Sequence, residues 1–166
     1  MDGGGEEQTR EQRLEIARRY RERRGRELRE LAATVVEREV VAAGEFSSVP
    51  KEAMAAIPFV GVLMVPWARL RARCSGLPQE MLIVLDADDV HLLALERPGM
   101  GSDQLRVEPF RRWPRTAVRV ESVRRAFMRT IVALRAPEAD EPLTLYAPSL
   151  RTNPWSSEVV RLLGGD

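Results

Sequence analysis

The spacing of apolar positions along this chain changes twice, dividing it into a helical start, an interrupted middle and a strand-rich remainder. From Glu6 to about Val35 there is no proline. Leu14, Ala17, Leu28, Leu31 and Val35 recur there at helical spacing among Arg, Glu and Ala, which predicts a long helix. Between Arg18 and Glu27 only Tyr20 is apolar, and Gly25 costs roughly 1 kcal/mol relative to Ala inside a helix. The first half is therefore expected to project into solvent or fray, and the second half to dock. The segment Glu37–Phe46 fits either an extension of this helix or a strand closing at Phe46, and its pattern does not choose between them.

The interruption begins at Ser47-Ser48-Val49-Pro50, which suits the start of a short helix with Glu52 near the positive end of its dipole. Ala53 to Ala68 are sixteen consecutive residues without charge, followed by Arg69, Arg71 and Arg73. A membrane span needs about 20 apolar residues, and Pro58 and Pro66 break any continuous helix. The run also starts too far along the chain to be a secretory signal. Two readings remain. One is a connection buried against the domain. The other is an interfacial loop that dips Phe59, Val60, Leu63, Met64 and Trp67 into lipid while Arg69, Arg71 and Arg73 hold headgroup phosphates.

From Met81 the pattern becomes that of strands. Met81–Leu85 and Val90–Leu95 are apolar runs separated by Asp86-Ala-Asp-Asp89, and this combination predicts a hairpin. A loop over 97–103 leads to candidate strands at Leu105–Phe110, Thr116–Glu121, Phe127–Arg135 and Leu143–Ala147, with a polar turn at 136–142. Asn153 is a suitable N-cap with Pro154 at the first helical position. Val159, Val160, Leu162 and Leu163 then predict a short apolar helix stopped by Gly164-Gly165.

Composition adds bounds to this picture. The 166 residues, 44% of them hydrophobic, suffice for one core. With 26 basic and 25 acidic residues the net charge of +1 does not mark a nucleic-acid or anionic-membrane binder. The basic residues are all Arg except Lys51, and GC-rich codon usage is a plainer source of that ratio than a phosphate-reading surface. Charge is nonetheless blocked along the chain: about +5 over 10–29, −4 over 81–105, +7 over 106–135 and −3 over 136–166. The +7 block reads first as outward positions on strands that face acidic neighbours, and second as an anion-binding face. Cys74 stands alone, which excludes an internal disulfide framework and a Cys-clustered metal site and fits a reducing, cytosolic setting.

Few residues offer catalytic chemistry. Leu-Ile-Val-Leu-Asp86-Ala-Asp88-Asp89 is similar to the Asp-x-Asp metal motif of glycosyltransferases, but no nucleotide-binding βαβ region precedes it. As a calcium loop it fails, because the sixth position is His91 and the twelfth Arg97. A hairpin turn is the preferred reading, and a small metal-dependent transferase using Asp86, Asp88 and Asp89 is the alternative. His91 has no Ser or Cys nucleophile at a recognisable spacing, and Cys74 has no partner thiol. Phe110-Arg-Arg-Trp113-Pro-Arg115 interleaves aromatics with Arg. It fits a strand edge broken at Pro114, or an anion-binding patch of Arg111, Arg112, Trp113 and Arg115. The Arg-rich helix has neither interleaved aromatics nor a wide apolar face, so nucleic-acid binding through it and the 106–135 block is a disfavoured alternative.

Four stretches, taken in order, carry a family likeness. They are Val40-Val-Ala-Ala-Gly-Glu-Phe46, the run from Gly76-Leu-Pro-Gln-Glu-Met-Leu-Ile-Val-Leu85 through Leu95, Val107–Val120 with its Trp and Arg, and Glu158-Val-Val-Arg-Leu-Leu163. Together they resemble the first strand, the second and third strands, the following strand pair and the plugging helix of bacterial pleckstrin-homology-like (PH-like, GRAM-like) domains. The likeness spans about residues 37–163 and extends to small actinobacterial proteins in which an apolar insertion follows the first strand. It implies an α+β protein: an antiparallel β-barrel or sandwich of six to seven strands, a C-terminal capping helix and a long charged N-terminal helix. Residues 1–36 would be a charged arm, and 37–166 the PH-like domain with its insertion at 47–78.

The resemblance further implies a binding module with no catalytic residues, cofactor or metal, and some family members bind lipid headgroups or peptides. Relatives often carry Thr-Asp-x-Arg at the hairpin turn, whereas here Asp89 replaces the Arg, which speaks against phosphoinositide binding at that turn. The expectation is a cytoplasmic interaction module, peripheral at the inner face of the cell membrane or bound to a protein through 53–73, with the N-terminal helix as an oligomerisation arm.

Overall fold

The computed structural model describes residues 4–49, 76–96, 105–126 and 129–165. The apolar run Met81–Leu85 lies in strand β2 (Glu80–Leu85), and every one of these side chains is buried. Successive side chains on a strand point to opposite faces, so both faces of the sheet are covered at this strand. β2 pairs antiparallel with β1 (Ala42–Ser47) on one side and with β3 (Asp89–Glu96) on the other, and β3 pairs with β4 (Arg106–Pro114). A second antiparallel meander consists of β5 (Arg119–Ala126), β6 (Arg129–Arg135) and β7 (Leu143–Pro148). The strand order is β4-β3-β2-β1-β7-β6-β5, open at β4 and β5. β1 runs along β2 for its whole length but meets β7 at the single pair Ser47–Tyr146, where the buried Ser47 hydroxyl lies 3.4 Å from the Tyr146 carbonyl. Among the described residues the protein is thus α+β: one seven-stranded antiparallel open sheet with two helices, α1 (Gly4–Ala33) and α2 (Pro154–Leu162).

Two apolar clusters lie on opposite faces of the first meander. The larger unites Phe46, Met81, Ile83, Leu85 and Leu92 with Val132, Leu134 and Leu145 of the second meander and with Val159, Val160 and Leu163 around α2. The two meanders therefore fold toward one another over a shared core, an arrangement compatible with a sandwich. The smaller cluster packs Ala43, Leu82, Val84 and Leu93 against Leu28, Ala32 and Val36, with Trp155 of α2 completing it. On the same side Arg24 of α1 forms an ion pair with Glu45 of β1, both side chains being largely covered. The last turns of α1 thus dock as the spacing predicts. Toward its N-terminus Leu14, Ile16 and Tyr20 stay exposed, and the i,i+4 pairs Glu15–Arg19, Arg18–Glu22 and Arg23–Glu27 at 2.7–2.9 Å lie on its solvated surface.

Several boundaries differ from those the pattern predicts, each for a local reason. α1 stops at Ala33, so residues 42–46 belong to a strand and not to a longer helix. β4 continues past Phe110 to Pro114; it is an edge strand, where proline costs no ladder bond, and Phe110 forms a bulge between the pairs Leu93–Pro109 and Leu92–Arg111. Arg115–Ala117 form a 3-10 turn, so the strand expected from Thr116 starts at Arg119. Asn153 occupies the N-cap of α2, but its side chain makes no capping bond. At the other end Gly164, at φ 86°, lets the N–H of Gly165 reach the Val160 carbonyl and its own N–H reach that of Arg161, a Schellman closure. The neighbouring Leu163 carbonyl accepts the Val120 N–H at 2.9 Å, tying the helix end to β5.

Two glycines test this packing with opposite signs. A Cβ on Gly44 of β1 would lie 2.8 Å from the Ser156 Cα and 3.2 Å from Val159 of α2, whereas a Cβ on Gly25 of α1 would make ordinary contact, 4.0 Å from the Trp155 ring. Gly44→Ala is expected to lower stability by about 1–3 kcal/mol because the helix must lift. Gly25→Ala is expected to raise it by about 0.5–1 kcal/mol through helix propensity. Urea denaturation of the two variants measures both, and shifts of the same sign would contradict this packing.

Candidate functional site: a charged cleft at the hairpin turn

The turn between β2 and β3 is built by the side chain that precedes it. Asp86 is fully buried, and its Oδ1 accepts the N–H groups of Asp88 at 2.8 Å and Asp89 at 2.6 Å, donors that the tight turn would otherwise leave unpaired. Its own N–H donates to the Asp89 carbonyl at 3.1 Å, closing the hairpin. Oδ2 lies 3.0 Å from Nε2 of His91, which stands on β3 facing the same side. Burial works to raise the Asp86 pKa. The His91 hydrogen bond and the two backbone donors outweigh it and bring the carboxyl down to about 2. With Asp86 ionised, the shared proton resides on His91 Nε2, which donates.

The neighbouring charges close a network around this turn. Asp89 accepts from Nε and Nη2 of Arg112 on β4, and that contact raises the arginine pKa above its ordinary value. Arg38, from the segment after α1, donates to Asp88 Oδ2 at 2.6 Å and lies 3.7 Å from Asp89. Arg38, Asp86, His91 and Arg112 line an open cleft of about 820 Å³ between the end of α1, the hairpin and β4, together with Phe110 and Arg111. Arg111 lies 5.4 Å over the Phe110 ring and 3.9 Å from Glu138.

The structure brings together part of each set that the sequence singles out. Asp86, Asp89 and His91 offer ligand atoms within 4.8 Å of one another, as a metal site requires. Each is already committed: Asp86 to the turn and His91, Asp89 to Arg112 and Arg38. A cation would have to displace an arginine and the His91 proton, so the residues fit a neutralised turn better than a metal centre. Of the anion-binding set, only Arg111 and Arg112 reach this cleft. Trp113 is buried in the core at 2% exposure, paired across the strands with Val90. Arg115 turns back to the fold: its N–H donates to the Asp88 carbonyl at 2.7 Å, and its guanidinium lies 3.4 Å from the Leu162 carbonyl at the negative end of α2. Sequence reasoning missed Arg38, which lies fifty positions from Asp88 and has no motif around it. Phe59, Val60, Leu63, Met64, Trp67, Arg69, Arg71 and Arg73 lie outside the described residues, as does Cys74.

Comparison of the chain with family models, with curated proteins and with solved structures returns no match. None of the helices in the described residues is long and apolar enough to cross a membrane.

The depressed Asp86 pKa makes a stability prediction with a definite sign. Folding favours its ionised form, so the contribution is complete above the ordinary value of 3.8 and vanishes as pH falls through about 2. The stability gap between wild type and Asp86→Asn, from urea denaturation, is expected to narrow by about 2 kcal/mol between pH 6 and pH 2. A gap that does not change with pH would mean that Asp86 is not held as the carboxylate.

Proposed function

We propose that the protein is a non-enzymatic PH-like interaction module that makes peripheral contact with an anionic membrane surface through residues 53–73. The observation that carries this reading is the run of sixteen uncharged residues, Ala53–Ala68, followed at once by Arg69, Arg71 and Arg73. An antiparallel sheet of two meanders with a C-terminal helix against their shared core supports the PH-like part. The non-enzymatic part is supported by the acidic cluster at the hairpin, whose carboxylates are spent on the turn and on Arg38 and Arg112. In sedimentation with vesicles containing phosphatidylserine, wild type is expected to pellet and the double variant Phe59→Asp, Trp67→Asp to stay in solution. Equal, negligible pelleting of both overturns the membrane reading.

A second reading, protein contact through the N-terminal helix, is favoured by one observation: Leu14, Ile16 and Tyr20 are 61%, 68% and 64% exposed on the projecting half of α1. If this half mediates self-association, light scattering shows an oligomer for wild type and a monomer for Leu14→Glu, Ile16→Glu. A monomeric wild type removes self-association.

A further inference from the structure

Two clefts take arginines from the 106–135 block, Arg111 and Arg112 in one and Arg125 and Arg129 in the other, and among the described residues they differ in how far those charges are paired. At the hairpin turn, Arg112 and Arg38 face Asp88 and Asp89. A second open cleft, of about 720 Å³, lies between the β5–β6 end of the sheet, the β7–α2 connection and α2. Arg125 and Arg129 enter it from the strands, Arg151 from the connection and Arg161 from the helix, with the hydroxyl-bearing Ser149 and Ser157 between them. Among the described residues only Arg161 has an acidic partner, Glu158 at 3.0 Å, and Arg125, Arg129 and Arg151 have none. Among the described residues, four like charges from separate elements are thus gathered with one partial neutraliser, an arrangement whose summed potential favours an anion.

Arg129 gives the second sign. Its guanidinium is held 5.5 Å over the Tyr146 ring, and its Nη1 is buried with no hydrogen-bond partner among the described residues. A guanidinium pinned over an aromatic ring at the wall of the cleft has less side-chain freedom to lose when it takes an anion. Forked guanidinium groups match the oxygens of a phosphate in pairs, and the volume exceeds what a lone inorganic ion fills, falling in the usual range for small organic ligands.

We infer that this cleft is a binding site for a compact phosphate ester, clamped by Arg125, Arg129, Arg151 and Arg161. Binding at this cleft does not depend on contact of residues 53–73 with membrane. Isothermal titration of the full chain with glycerol 3-phosphate and with pyrophosphate, at low ionic strength, is expected to show saturable binding that weakens as salt is raised. Arg151→Gln and Arg125→Gln, both at exposed positions where folding is not at risk, should each weaken it about tenfold. Arg112→Gln, which removes the same charge from the hairpin cleft, should leave it unchanged. Absence of binding by wild type overturns the site, and so does equal weakening by Arg112→Gln, which would reduce the effect to net charge.

Phosphatidate vesicles distinguish the source of the phosphate. Retention that Arg151→Gln abolishes and Phe59→Asp, Trp67→Asp leaves intact assigns a lipid headgroup, whereas binding of the soluble esters alone assigns a free one. Loss of retention in the Phe59, Trp67 variant with ester binding preserved separates the two surfaces.

Discussion

The two-sided burial of β2 is the constraint around which the other elements are arranged. Met81, Ile83 and Leu85 look into the core shared by the two meanders, and Leu82 and Val84 look out of it. Covering one aliphatic side chain is worth about 1.5–3 kcal/mol. Leaving Leu82, Val84 and Leu93 wet would therefore forfeit much of the roughly 5–15 kcal/mol by which a domain is stable. The C-terminal end of α1 supplies that cover with Leu28 and Ala32, and the turn after it adds Val36. A helix whose composition is mostly Arg and Glu is thus part of the folded body at one end and a solvated rod at the other. Arg24 marks the transition, neutralising Glu45 where β1 passes beneath the helix.

α2 is the element that couples the two cores. Val159 and Val160 fill the inner one, while Trp155, one turn earlier, sits with α1 in the outer one. This placement requires close approach to β1, which Gly44 permits, and the Ser156 hydroxyl then donates to the Glu45 carbonyl at 3.0 Å. The far end is held as firmly, by the Schellman closure, the Val120 N–H on Leu163 and the Arg115 guanidinium beside Leu162. Both meanders, joined directly at one register pair, are in this way tied through a nine-residue helix.

Charge follows a different logic at the two clefts. At the hairpin the acids and arginines cancel, and a buried carboxylate with a depressed pKa serves to fix a turn; such a shift is as much a mark of structure as of catalysis. Beside α2 the arginines have one acidic partner among the described residues, a local excess that the near-neutral total of the chain does not reveal. Position, not composition, separates a structural cluster from a candidate site.

The sequence by itself determined the strand character from Met81 onward, the hairpin and the two helices, because a period of two or of 3.6 residues is a short-range property and Gly, Pro and Asp punctuate it locally. It also marked Asp86 as a turn residue and the second half of α1 as the docking half. Ambiguity over 37–46 persisted because ten residues of mixed pattern satisfy either period, and the choice of strand rests on the partner β2. Only the tertiary structure decided that Trp113 lies in the core while Arg112, its neighbour, meets Asp89, and that Arg38 reaches a turn fifty residues away. It alone gathered Arg125, Arg129, Arg151 and Arg161 around one cleft. Which charges end up opposite one another depends on strand register and on helix docking. Both are set by long-range burial and leave no local trace in the chain.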